Sequence, residues 1–248
     1  MSRWKCICAY DGTSFAGWQT QPTRDSVQDV IEAALEKILK TTTRIHGSGR
    51  TDAGVHALAQ VFHFDAEWGH TSSSFEAALG TLLPPAIRIQ SIDEVAADFH
   101  ARYSAHGKRY HYRLFLGQAD PFQIRYCLSI PYSLDTELIT QAGHALVGEH
   151  DFSAFAAENG ADPDQENPIK NFRCFEVVQD GRELRFIFEA SGFLYKMVRS
   201  LTGALLRVGR GKLSPDEFRK LLESGVRTKE VVTASPRGLF LEKVFYDD

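Results

Sequence analysis

Cysteine is scarce in this 248-residue chain: there are four, and no two form a CxxC pair. Cys6, Cys8, Cys127 and Cys174 are therefore expected to be reduced and structural, with Cys6 and Cys8 on one strand face as small hydrophobes. The nine histidines include no HExxH or comparable ligand spacing, so no metal site is expected. GxxxxGKS is missing too, and no dinucleotide fingerprint with its downstream acid can be placed. No run of 18 apolar residues exists to span a bilayer. The opening "MSRWKCICAYDG" is too short in apolar residues for a signal peptide and alternates like a strand. The expectation is a cytoplasmic protein with no membrane partner.

Negative charge is absent from two places where its absence matters. Residues 99–113, "FHARYSAHGKRYHYR", and 190–215, "ASGFLYKMVRSLTGALLRVGRGKLSP", hold four and five Lys or Arg and no Asp or Glu. The chain's net charge is −4, so these nine positive charges leave −13 on the remainder. An acidic body with two basic windows suits a protein that holds a polyanion in one groove. Either window alone could be a solvated face, but the interleaved Tyr103, Tyr110, Tyr112, Phe193 and Tyr195 offer rings on which bases stack.

Periodicity gives the organisation. "RWKCICAYD" and "ALAQVFHFD" alternate as strands, and from the N-cap Ser26 apolar residues recur at helical spacing through Leu39. "SSFEAALGTLL" reads as a helix stopped by Pro84-Pro85, "IRIQSIDEVA" as a strand, and "RYHYRLFL" as another. Asp180-Gly181 marks a hairpin, "FLYKMVRSLTGALLRVG" and "SPDEFRKLLESG" are helices, and "GLFLEKVFY" closes as a strand. "AAENGADPDQENP" reads as a long exposed loop. The fold expected is α+β, with two similar domains, 1–104 and 105–248, each a mainly antiparallel sheet with helices on one face.

One stretch carries chemistry. "IHGSGRTDAGVHALAQVFHFD", residues 45–65, puts Gly47, Gly49 and Gly54 around Arg50 and Asp52, then enters a strand. Concentrated glycine signals unusual backbone angles or close approach. The bland reading is a tight turn with Gly54 in the left-handed position; the sharp one is a catalytic carboxylate on display. Arg50 and Asp52, two apart, point to one side if extended, and an arginine beside a carboxylate favours its ionised form. That suits a nucleophile or base and argues against a paired-carboxylate glycosidase.

"GRTDAGVHA", with "YDGTSFAGWQTQ", "FHARYSAHGKRYHY", "HDFSAF", "FLYKMVRSLTG" and "GLFLEKVFY" in this order, resembles the tRNA pseudouridine synthase A family. The resemblance spans Tyr10 to Phe245. It implies a cofactor-free homodimer whose two domains flank a basic cleft, isomerising uridine in the tRNA anticodon arm at positions 38 to 40. By position, Asp52 matches the nucleophile, attacking either C6 of uracil or C1′ of ribose. Arg50 matches the arginine that flips the nucleotide and pairs with that aspartate. Tyr110 matches the tyrosine packed on the base and accepting a proton, Arg199 the helix arginine across the cleft, and Leu239 an apolar contact under the base. Phe99, His100, Ala101, Arg102 and Tyr103, with Lys108, match RNA contacts. The chain departs where relatives have LPxDI, with Ala86 replacing Asp, and its 158–166 loop is acidic where they are often basic or polar. The alternatives are an enzyme of this fold acting on another RNA site and a non-catalytic RNA-binding module.

Overall fold

A computed structural model describes residues 1–157 and 167–247. The acidic 158–166 loop lies outside the described residues. The chain divides into two compact units, Met1–His106 with Phe240–Asp248, and Gly107–Leu239. Residues 240–248, expected with the second half, thus fall in the first unit. The reason is pairing: Phe240 and Leu241 lie parallel beside His56 and Ala57.

In the first unit, β1 (Ser2–Tyr10) pairs antiparallel with both β3 (His56–Ala66) and β4 (Ile87–Val95). A two-residue β2 (His46–Gly47) also joins β3, as does the last strand, β10 (Leu239–Phe245). Alternation sorts the faces. Trp4, Cys6 and Cys8 with Phe62 and Phe64 are buried on one face. There Phe75 of α2 (Ser72–Leu82) meets Trp4 edge-on at 5.4 Å and Phe64 at 5.8 Å. Helix α1 (Val27–Leu39) starts at a Ser26–Asp29 capping box and buries Val27, Ile31 and Leu35. Burial pushes the Cys6 and Cys8 thiols well up, so they stay protonated. All four cysteines are free. The opposite face carries Arg3 and Lys5 beside Asp65 and His63.

In the second unit, β5 (Gly107–Leu116) pairs antiparallel with β9 (Glu183–Ala190), then β8 (Ile169–Asp180) and β7 (Gly148–Asp151) follow. The short β6 (Leu128–Ile130) runs parallel to β5. Phe172, Phe186 and Phe188 build the core, with Leu201 and Leu205 of α4 (Met197–Gly209) and Phe218 of α5 (Pro215–Ser224). Helix α3 (Thr136–His144), capped by Asp135, lies in a stretch where the sequence announces no element. Helix α4 starts four residues later than its periodicity suggests, because Lys196 adopts a left-handed backbone (φ +57°) ahead of it. Among the described residues no helix is long and apolar enough to cross a membrane.

Candidate active site

The loop between β2 and β3 is held from both sides. Thr51 turns inward, its hydroxyl hydrogen-bonded to Tyr10 Oη at 2.8 Å and its carbonyl accepting the Trp18 N–H at 3.1 Å. The Val55 N–H donates to the Asp52 carbonyl at 3.1 Å, closing a turn in which Gly54 takes φ +77°. A side chain at Gly54 would strain that angle. The turn and the displayed carboxylate are therefore one structure: the turn fixes the Asp52 backbone and leaves its side chain half-buried. Upstream, Ser48 donates through its N–H to the Val61 carbonyl at 2.7 Å, and Gln60 Nε2 donates to the Gly49 carbonyl at 3.0 Å. The preceding loop presses in as well. A Cβ on Gly12 would fall 1.9 Å from the Val55 carbonyl oxygen, and the Gly12 N–H donates to His56 Nδ1 at 3.1 Å.

With Thr51 inward, Arg50 and Asp52 point outward, as alternation requires. The expected Arg50–Asp52 pairing is corrected: Arg50 Nε donates to Gln19 Oε1 at 3.2 Å. Spacing sets a side chain's direction, but the choice among acceptors depends on which neighbouring loop is closest, and here that is the loop after Trp18.

Tyr110, Arg199 and Leu239 lie in the second unit. Tyr110, buried on β5, meets Phe193 edge-on at 5.0 Å. Arg199, in the first turn of α4, donates through Nε to the Ala234 carbonyl at 2.8 Å, and the Ala234 N–H returns a bond to the Arg199 carbonyl at 3.0 Å. Leu239 is buried at the head of β10. Two more residues complete this region: Arg227, which no motif includes, and Tyr112, expected from the sequence to offer a ring to bases but fully buried. Tyr112 donates to the Ser235 carbonyl at 2.6 Å, and burial raises its hydroxyl's pKa. Arg227 donates to the Ala156 and Val231 carbonyls and to the Ser200 and Thr233 hydroxyls, all between 3.1 and 3.2 Å. Burial lowers the Arg227 pKa, because desolvation disfavours the charged form.

The segment expected to contact RNA splits in two. Tyr103 is 77% exposed, and the Arg102 guanidinium lies 5.8 Å from its ring centroid. Phe99, His100 and Ala101 instead build the turn. The Ala101 N–H donates to His63 Nδ1 at 3.1 Å, and its carbonyl accepts the Tyr246 hydroxyl at 2.6 Å. His100 Nδ1 accepts the N–H groups of Arg102 and Tyr103 at 3.1 and 3.3 Å. The Phe99 carbonyl accepts from Arg3 Nη1 at 3.0 Å. Lys108 stands on β5 in the second unit.

A family model described as tRNA pseudouridine synthase matches residues 7–104 and 142–247. Proteins named tRNA pseudouridine synthase A from Exiguobacterium sibiricum and Listeria innocua are 43% and 42% identical to the whole chain, over 98% and 100% of their own lengths. One from Geobacillus kaustophilus is 42% identical over 99% of this chain and 95% of its own. A clamped Gly-rich loop displaying one carboxylate, matched across both units by such relatives, leaves one conclusion: this chain belongs to the tRNA pseudouridine synthase family.

Proposed function

We propose that this chain performs its family's reaction, isomerising uridine to pseudouridine in tRNA, at positions 38 to 40 of the anticodon arm, with Asp52 as nucleophile. The observation that supports this reading most is the mounting of Asp52, one carboxylate on a turn fixed by Trp18, Val55 and Tyr10. The reaction needs such a mounting, since the line of attack tolerates little error. The N1–C1′ bond breaks and a C5–C1′ bond forms; C5 loses a proton and N1 gains one, so no atom is gained or lost. A carboxylate attacking C1′ or C6 satisfies this balance.

In this reading Tyr110 takes the C5 proton, Arg199 supports the carboxylate, and Leu239 lies under the base. Arg50, exposed and hydrogen-bonded to a neutral amide, enters the stack when the nucleotide is extruded. Arg102 and Lys108 meet phosphates, Tyr103 offers a ring, and the enzyme works as a homodimer without a cofactor.

The test is single-turnover pseudouridine formation beside a binding measurement. Asp52→Asn keeps the side chain's size, so chemistry should vanish while tRNA affinity stays within roughly tenfold, about 1.4 kcal/mol. A variant turning over near the wild-type rate ends the nucleophile assignment. Mapping pseudouridine in tRNA from cells with and without the protein tests the position: loss outside 38 to 40 moves the reading to another RNA site.

A further inference from the structure

The sheet face of the first unit that carries Arg3 and Lys5 holds a feature the reaction does not use. A pocket of about 400 Å³ opens there, lined by Arg3, Arg44, His46, His63, Asp65 and His100 together with the threonine turn before Arg44. The three imidazoles form one cluster. His63 lies 5.1 Å from His46 and 4.5 Å from His100, centroid to centroid. His63 is only 3% exposed.

The backbone fixes the protons on two of these rings. An N–H can only donate, so the Ala101 N–H makes His63 Nδ1 an acceptor, and the N–H groups of Arg102 and Tyr103 do the same to His100 Nδ1. In the neutral ring the proton then sits on Nε2, which becomes a donor. Among the described residues no acceptor takes a hydrogen bond from either Nε2. Burial, then the neighbouring His100 and His46, push His63 down to about 4, and burial also lowers His100. Both rings are neutral donors near pH 7. A metal does not fit them, because no group of three or more His, Cys, Asp or Glu among the described residues could hold one.

The cations complete the wall. Arg3 binds Asp65 through two bonds of 2.8 Å, which occupies both carboxylate oxygens and mutes that one negative charge. Among the described residues Arg44 uses only Nη1, at 2.8 Å on Glu32, so most of its five N–H donors remain for a ligand. Donors of both kinds converge on one cavity, and its single lining carboxylate is already paired. From this convergence of Arg44, His46, His63 and His100 we infer that the pocket binds a phosphate group.

Two sources share that chemistry, the backbone of an RNA substrate and free phosphate. The RNA source rests on the tRNA reading above; the phosphate site does not. The pocket adjoins both RNA-related segments, since His46 opens the strand leading to Arg50 and Asp52, and His100 precedes Arg102 and Tyr103.

Histidine-ring ¹H–¹⁵N spectra of the full chain, titrated with inorganic phosphate at constant ionic strength, test the site. Saturable shifts should appear at His46, His63 and His100. Arg44→Ala and His46→Asn, both exposed positions, should each weaken phosphate binding at least about fivefold, the scale of one charge-assisted bond in partial contact with water. Anticodon-arm RNA that displaces the phosphate identifies the RNA backbone as the source; RNA that leaves it bound identifies free phosphate. Unsaturable shifts, or saturable ones that neither variant weakens, overturn the site. None of these readouts requires pseudouridine to form, so a failed function assignment and a failed phosphate site remain distinguishable.

Discussion

The two units hold their site residues by different means. Around Asp52 the clamps are mostly backbone bonds, Trp18 to Thr51 and Val55 to Asp52, admitted by glycines that let strands and loops touch. Around Arg199 the clamps are side chains reaching carbonyls: Arg227 to Ala156 and Val231, Tyr112 to Ser235, and Arg199 itself to Ala234. A backbone clamp fixes one carboxylate tightly and fails abruptly when a single atom is added. A side-chain clamp loses its bonds one at a time, and water replaces part of what is lost.

That contrast is tested most severely at Gly12. Gly12→Ala places a methyl group against the Val55 carbonyl, and backbone on both sides has nowhere to go. The expected cost is roughly 3–5 kcal/mol with activity abolished, the scale of severe overpacking. Trp4, Trp18 and Trp68 all lie in the first unit, so tryptophan fluorescence during urea unfolding reads that unit alone. A midpoint within error of wild type would show that the backbone clamp yields as softly as the side-chain one.

Acid should separate the units next. His63 falls from an ordinary 6.5 to about 4 on folding, through burial first and then His100, His46 and Arg3, with Asp65 opposing. A base with a depressed folded value contributes stability that is complete above 6.5 and is lost as pH falls toward 4. The loss is about 2 kcal/mol by pH 5 and up to about 3 near pH 4. Fluorescence midpoints at pH 7.5 and 5 measure the loss, and His63→Gln should flatten it. An equal slope in that variant would assign the acid sensitivity to another group.

In the second unit, Arg227→Ala removes four bonds from a half-buried guanidinium, an expected cost of roughly 1–2 kcal/mol because solvent reaches the vacated partners. Arg227→Lys keeps the charge but loses the planar fork, so it should recover less than half. Far-ultraviolet circular dichroism during urea unfolding reads both variants. A cost as large as that of Gly12→Ala would erase the distinction between the two kinds of clamp.

The same distinction decides what the sequence discloses. Strands β1, β3, β5, β8, β9 and β10 alternate, and Ser26, Ser214, Pro215 and Gly225 mark helix ends, so most elements are legible. The glycine loop around Asp52 is legible because backbone clamps require glycine. Arg227 carries no such signature, and Tyr112 reads in the sequence as a base-stacking ring rather than a buried clamp, since any Arg or Tyr can reach a carbonyl when folding brings one near. Helix α3 hides for another reason: nine residues with three buried positions give too short a period to read. The last strand is legible as a strand but not as a partner of β3, because parallel pairing across such a sequence separation leaves no local trace. His63 and His100 belong to the same class, ordinary in sequence and joined only by the fold.

Arg50 gives the smallest stability effect and the finest test of the contrast. Its guanidinium is exposed and, among the described residues, bonded to Gln19 alone, so Arg50→Ala should change stability by less than about 0.5 kcal/mol, as at other exposed positions. The turn under Asp52 does not depend on it, being closed by Val55 and Trp18. If Arg50 acts in extruding the nucleotide, single-turnover pseudouridine formation should fall on folded tRNA and partly recover on RNA whose target base is already unpaired, because the cost of unstacking is then absent. A defect of equal depth on both substrates would place the arginine in the chemical step beside Asp52. It would also mean that the guanidinium leaves Gln19 when RNA binds, which Gln19→Ala separates. That variant frees Arg50 beforehand, so it should leave turnover unchanged or slightly raised if the hydrogen bond is only a resting contact. Turnover falling as far as in Arg50→Ala would instead make Gln19 the positioning residue that aims the arginine.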